Sequence, residues 1–169
     1  MPAQCDQRLH VLFLCTGNSC RSILSEAIFN HLAPAGLRAI SAGSQPAGAL
    51  HPRAIELLTS KGISTEGCYS KSWEALPVTP DIVITVCASA AGETCPAYLG
   101  PALRTHWGVD DPGHVVGTAD EIARAFAQTY RIVRARIEAF LSLPLDRLRH
   151  DRAQLKVELD HIGTLMAHA

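Results

Sequence analysis

Residues 9–22 read L-H-V-L-F-L-C-T-G-N-S-C-R-S. Leu9 to Leu14 is a nearly unbroken apolar run that stops at small and turn-forming residues. A run of that length closed by a turn is the mark of a strand covered on both faces, as in parallel sheets. From about Ser22 the period changes, and Ile23, Ala27, Ile28, His31 and Leu32 follow at helical spacing. A buried strand, a short glycine-containing loop and a helix open a βα unit, which sets the class as α/β.

The same alternation continues outward. Ala39–Ala42 is a short second strand, and a helix begins at Pro52, a favoured first helical position, and stops at Gly62. Asp81–Val86, D-I-V-I-T-V, is the clearest strand in the sequence, and a weaker one lies near Leu103–Trp107. The motif S-K-S-W at residues 70–73 reads as the start of a short helix. A long helix is expected from about Asp120 to Leu143, with Ile122, Phe126, Tyr130, Val133, Ile137 and Phe140 as its apolar seam. Pro144 breaks it. Leu148, Leu155, Leu159 and Ile162 resume the spacing, so one more amphipathic helix is expected. The fold class is therefore a doubly wound, four-stranded parallel sheet with helices on both faces, residues 1–143, followed by a C-terminal helical extension, residues 144–169. Removing that extension is expected to change stability or association and to leave the chemistry intact.

A chain of 169 residues, 47% hydrophobic and 18% charged, carries one domain with a real core. The net charge of -1 and the pI near 6.7 give no basic surface for nucleic acid or an anionic membrane. Any anion must be captured locally. No apolar stretch after M-P-A-Q-C-D-Q-R has the length of a signal or membrane-spanning segment, so the expected location is the cytoplasm, where thiols stay reduced. The six cysteines, Cys5, Cys15, Cys20, Cys68, Cys87 and Cys95, then read as catalytic, redox or metal-binding rather than as a disulfide frame. No C-x-x-C pair occurs, and the eight histidines show no metal-ligand spacing, so no metal site is expected.

In this fold class ligands bind beyond the carboxyl ends of the strands. That place is filled here by Cys15-Thr16-Gly17-Asn18-Ser19-Cys20-Arg21-Ser22. Consecutive amides in a tight strand-to-helix loop form an anion nest, and the helix start adds its positive end. Gly17 and Asn18 tolerate the left-handed backbone that such a nest uses. Arg21 can offer two parallel donors to a tetrahedral oxyanion. These positive surroundings are expected to depress the Cys15 pKa, with the Ser22 hydroxyl donating to the thiolate. Cys15 thus reads as a nucleophile set inside its own oxyanion-binding loop of Thr16, Gly17, Asn18, Ser19, Cys20, Arg21 and Ser22.

The octet C-T-G-N-S-C-R-S resembles the active-site loop of the low-molecular-weight protein tyrosine phosphatase family, specifically of its arsenate reductase branch. S-A-G at Ser41–Gly43 and W-G-V-D-D-P at Trp107–Pro112 extend the resemblance over roughly residues 9 to 142. It implies a phosphatase-like catalytic domain in which Asp111 is the general acid. It also implies that Asn18 and Ser41 support the loop through hydrogen bonds, at a place where some members bind potassium. Further ligands for that cation are not recognisable around Ser64–Ser72, so no ion and no cofactor are expected. Phosphatases of the family carry bulkier apolar residues in the loop and aromatics after the proline. Thr16, Ser19, Gly113 and His114 stand there in this chain, which favours a small inorganic oxyanion over an aromatic ring.

The resemblance further implies a thiol relay. Cys15 takes up arsenate, Cys87 attacks Cys15 as arsenite leaves, and Cys95 resolves the disulfide for a thioredoxin- or glutathione/glutaredoxin-type donor. Cys87 ends the strong strand, and Cys95 follows eight residues later. Eight residues span ~26 Å extended or ~12 Å as helix, so a Cys87–Cys95 bond, with Cα atoms within ~7 Å, requires the segment to fold back. Two rival readings use the same residues. A phosphatase would use Cys15, Arg21 and Asp111 and ignore Cys87 and Cys95. A soft-metal or arsenite-binding site would take Cys15, Cys87 and Cys95 as three sulfur ligands, with no use for Arg21 or Asp111.

Overall fold

The computed structural model describes residues 8–87 and 101–166. Among these residues four strands, β1 (Leu9–Cys15), β2 (Leu37–Gly43), β3 (Ile82–Thr85) and β4 (Leu103–His106), form one sheet in the order β2-β1-β3-β4. All three pairings are parallel, and the register sets Cys15 against Gly43, Leu14 against Thr85, and Thr85 against His106. The carboxyl ends of the strands therefore line up along one edge. The change of winding direction falls beside β1, where a ligand crevice is expected.

The helices are α1 (Arg21–Leu32), α2 (Pro52–Ser60), α3 (Ala119–Leu141), a single turn α4 (Leu145–Leu148) and α5 (Arg152–Ile162). Local sequence accounts for their ends. Pro52 opens α2 behind His51, whose Nδ1 accepts from the Arg53 amide at 3.2 Å. Thr118 caps α3 by accepting from the Glu121 amide at 3.2 Å, and Asp120 and Glu121 place negative charge at its positive end. Asp151 caps α5 through the Gln154 amide at 3.1 Å. The expected elements lie within about two residues of these bounds, with two exceptions. The one helix expected beyond Pro144 is two, α4 with Leu148 and α5 with Leu155, Leu159 and Ile162, and Asp151 caps the second. Residues 70–73 form no helix; Ser72 makes a parallel bridge to Gly43, and turns follow.

Alternating side chains of β1 point to opposite faces. Phe13 meets Phe29 of α1 at 6.0 Å and Trp107 at 6.1 Å, and Phe140 of α3 closes the cluster at 5.5 Å from Phe29. Leu12 and Leu14 point the other way and are equally buried, so both faces of the sheet are covered. Leu155, Leu159 and Ile162 of α5 lie in this same core and pack toward β4. The Trp107 indole N–H donates to the Leu159 carbonyl at 2.9 Å, which fastens the helix to the end of β4. Among the described residues, no helix is long and apolar enough to cross a membrane.

Candidate active site

The loop from Cys15 to Cys20 leaves β1 at its carboxyl end and enters α1. Its carbonyls are turned outward. Thr16 O accepts from the Gln45 amide at 3.0 Å, Gly17 O from Ala47 at 2.8 Å, and Ser19 O from His51 at 2.8 Å. In a trans peptide the N–H points opposite to the carbonyl, so these bonds turn the following amides toward the centre of the loop. The Asn18 amide indeed donates to Cys15 Sγ at 3.2 Å. Helix α1 follows Cys20, which gives it no side-chain cap, and has no acidic residue in its first turn, which leaves its positive end to a ligand.

Asn18 carries the strained backbone of the loop at φ 45°, while Gly17 does not take a left-handed conformation, contrary to the sequence expectation for that glycine. The Asn18 side chain repays the strain: its amide donates to Ser22 Oγ at 2.8 Å and Ser41 Oγ at 3.0 Å, and its oxygen accepts from the Lys71 amide at 2.8 Å. Lys71 then sends its ammonium under the loop to Ser41 O at 2.8 Å and Tyr69 O at 2.9 Å, 3.8 Å from the Glu26 carboxylate. Burial pulls the Lys71 ammonium down and pushes the Glu26 carboxyl up, and the charge of each opposes the other's shift. A buried cation thus sits among oxygens beside Asn18 and Ser41, supplied by the chain itself. Sequence reading missed this role, because a long side chain crossing from an irregular segment has no periodic signature. Gly43 closes the same region, since a Cβ there would stand 2.3 Å from Thr16 O.

Cys15 is 4% exposed, and its sulfur lies 2.8 Å from Ser22 Oγ. Burial pushes the Cys15 thiol up from its ordinary value, and the Ser22 hydroxyl and the Asn18 and Ser22 amides pull it back without reversing the direction. The depressed pKa expected from sequence is therefore corrected: the fold that gathers the amides also keeps water from the sulfur. Cys20 faces away from this role, its thiol pushed up to about 12 chiefly by burial.

Arg21 and Asp111 meet across the opening. Arg21 Nη1 donates to Val109 O at 3.0 Å, and Nη2 lies 3.5 Å from Asp111 Oδ2. Asp111 caps a 3-10 turn at Pro112–His114 by accepting from the Gly113 amide at 2.8 Å, and His114 Nε2 lies 3.4 Å from its Oδ2. Both side chains are about one-fifth exposed, so they border a cleft open to solvent. Cys87, buried just beyond β3, places Sγ 3.6 Å from Thr16 Oγ1 and is close enough that its charge would raise the Cys15 pKa. Arg21, Cys87 and Asp111 line one cavity of about 620 Å³. Cys95 and Cys5 lie outside the described residues. Cys68 stands beside Glu26 and Lys71, away from the cleft. Among the described residues, no group of three or more histidine, cysteine, aspartate or glutamate side chains is arranged to hold a metal ion.

The chain is similar to several known proteins. An arsenate reductase of Shouchella clausii is 35% identical over 131 residues, 77% of this chain and 93% of that protein. A solved arsenate reductase in a phosphate-binding state superposes with a TM-score of 0.63 at 25% identity, over 79% of this chain and 97% of the other. The thioredoxin-dependent arsenate reductase of Corynebacterium glutamicum gives 0.55 at 26% identity, over 79% of this chain and 64% of its own. The pattern of the low molecular weight phosphotyrosine protein phosphatases matches residues 10–154, taking in β1, its loop, Asp111 and the start of α5. That match spans most of the chain, including the loop after β1 and the stretch that carries Asp111, and the chain belongs to the low-molecular-weight phosphotyrosine protein phosphatase family.

Proposed function

We propose that this chain is an arsenate reductase working in the cytoplasm, with residues 1–143 as its catalytic unit and 144–169 as an extension. The Cys15 thiolate attacks arsenic, an arsenate oxygen leaves as water with a proton from Asp111, and a Cys15–arsenic(V) bond forms. Amides of Thr16 to Ser22 and the Arg21 fork hold the remaining oxygens. Cys87 then attacks Cys15 Sγ. The sulfur–arsenic bond breaks with its electron pair on arsenic, which leaves as arsenite, while two thiols become one disulfide. Cys95 displaces Cys15 from Cys87, and the resulting Cys87–Cys95 disulfide is reduced by a thioredoxin-type dithiol, the donor named for the Corynebacterium glutamicum relative. Glutathione with a glutaredoxin is the other donor class that fits the chemistry.

The observation that carries this reading is the second thiol at the lip of the loop, Cys87 Sγ at 3.6 Å from Thr16 Oγ1. Phosphoryl transfer needs Cys15, Arg21 and Asp111 but no such thiol. The small residues at Gly113 and Thr16 also leave no aromatic wall to grip a phosphotyrosine ring. The shared nucleophile, arginine and acid keep phosphatase action as the second reading, and p-nitrophenyl phosphate is its probe. Cys87→Ser should lose arsenite formation with a thioredoxin system while retaining any p-nitrophenyl phosphate hydrolysis. Full arsenite turnover by Cys87→Ser with every donor would remove the relay and return the phosphatase reading.

A further inference from the structure

Arg136 lies on the inward face of α3, between Val133 and Phe140, and is 2% exposed. An arginine in an apolar seam needs partners for its donors. Its Nη1 donates to Trp107 O and to Gly108 O, each at 3.0 Å, and its Nε donates to Leu165 O at 3.0 Å. Among the described residues it pairs with no carboxylate. The first two carbonyls belong to the stretch that runs from β4 to Asp111; the third belongs to the segment after α5. That segment also touches the same stretch directly, since a Cβ on Gly163 would stand 2.5 Å from His106 O. Met166 and Arg136 line the cavity that holds Arg21, Cys87 and Asp111.

We propose that Arg136 is a positioning residue through which the C-terminal segment, residues 163–166, sets the path of Trp107–Asp111 and so the placement of the general acid. The chain of contacts is continuous. Leu165 O is held by Arg136, Arg136 holds Trp107 O and Gly108 O, and the next residue, Val109, offers its carbonyl to Arg21, which faces Asp111. A fork that bonds three carbonyls fixes their relative position better than three separate bonds, because one rigid plane carries all the donors. The extension then belongs to the working site, in contrast to the expectation that its removal leaves the chemistry intact. The inference rests on the reading of Asp111 as the acid.

The test compares four forms of the full chain: the parent, Arg136→Met, Asp111→Asn and the double variant. A fifth and a sixth form end at Ile162, without and with Asp111→Asn, and remove Leu165 O without touching Arg136. Single-turnover arsenite release and the thermal midpoint are measured for each. Arg136→Met should slow release about tenfold, and the truncation a few-fold, while in the Asp111→Asn background neither adds a further loss. Losses that multiply in the double variant, or unchanged release by both Arg136→Met and the truncated chain, would overturn the proposal while leaving the acid role of Asp111 in place. Unchanged release by Asp111→Asn alone would overturn the acid reading and the proposal with it. If Arg136→Met does not fold, the truncated chain with and without Asp111→Asn decides by the same rule.

Discussion

The two halves of the site are held in different ways. The half around Cys15, the proposed nucleophile, is fastened from behind: Asn18, Ser41, Lys71 and Glu26 form a buried network, and three loop carbonyls are tied to residues 45–51. The acid half rests on fewer and more open contacts, with Asp111 about one-fifth exposed and 3.5 Å from Arg21. The difference teaches where rigidity is needed. An anion nest works only if its amides already point inward, because reorganising them during the reaction would cost what they stabilise. In the proposed mechanism the acid and arginine exchange partners when an oxyanion arrives, and Arg21 can leave Val109 O and turn its fork to the ligand.

This contrast is open to direct attack, beginning with the groups that touch the reacting atoms. Cys15→Ser and Arg21→Ala should each lower arsenite formation by about 10³-fold or more while the protein keeps its thermal midpoint. Substantial arsenate reduction by folded Cys15→Ser would end the mechanism given above. Asp111→Asn, on the loosely held side, should cost about 10²-fold in turnover with a midpoint within about 2 °C of the parent. A large drop in its midpoint would mean that the acid half is as structural as the other.

Lys71→Met should give the opposite pattern. It leaves Glu26 buried without its cation, so stability should fall by about 3 kcal/mol in denaturant unfolding, and Glu26→Gln in the same chain should restore part of it. A Lys71→Met protein of parental stability would show that the back of the nest is not held by charge. The smallest effect concerns the thiol itself. Because burial raises the Cys15 pKa, its thiolate fraction grows with pH, and alkylation of Cys15 without added oxyanion, followed by mass spectrometry, should still be accelerating at about pH 8.5. A rate that levels off below neutrality would mean that the amides outweigh desolvation after all.

Much of this was legible in residues 9–22. Strand, loop and helix each have a local signature, and Cys15, Arg21 and Ser22 are tied to it by position along the chain. Asp111 was legible through W-G-V-D-D-P, and the apolar spacing beyond Pro144 announced α5. The support at Lys71 was not legible, since its effect comes from 53 residues of separation and a contact to Asn18 that no pattern encodes. The direction of the Cys15 shift was misjudged for a related reason: donors can be counted from sequence, whereas exclusion of water is a property of the closed fold. Arg136 did leave a trace, as a charged residue at a seam position of α3 between Val133 and Phe140. Periodicity places it beside Ile137 but says nothing of its partners, one of which, the Leu165 carbonyl, comes from the segment after α5.

Trp107 gives the molecule an optical handle. It is one of two tryptophans, it is 3% exposed among Phe13 and Phe140, and its own carbonyl is one of those that Arg136 holds. An indole in such apolar surroundings emits at shorter wavelength than one in water, and its colour reports on solvent entry. Because the chain passes from Trp107 to Asp111 within four residues, any movement of the acid loop tugs at the fluorophore. Emission recorded during turnover therefore reads loop position without a label, and replacing Trp73 by Phe would leave that signal unmixed.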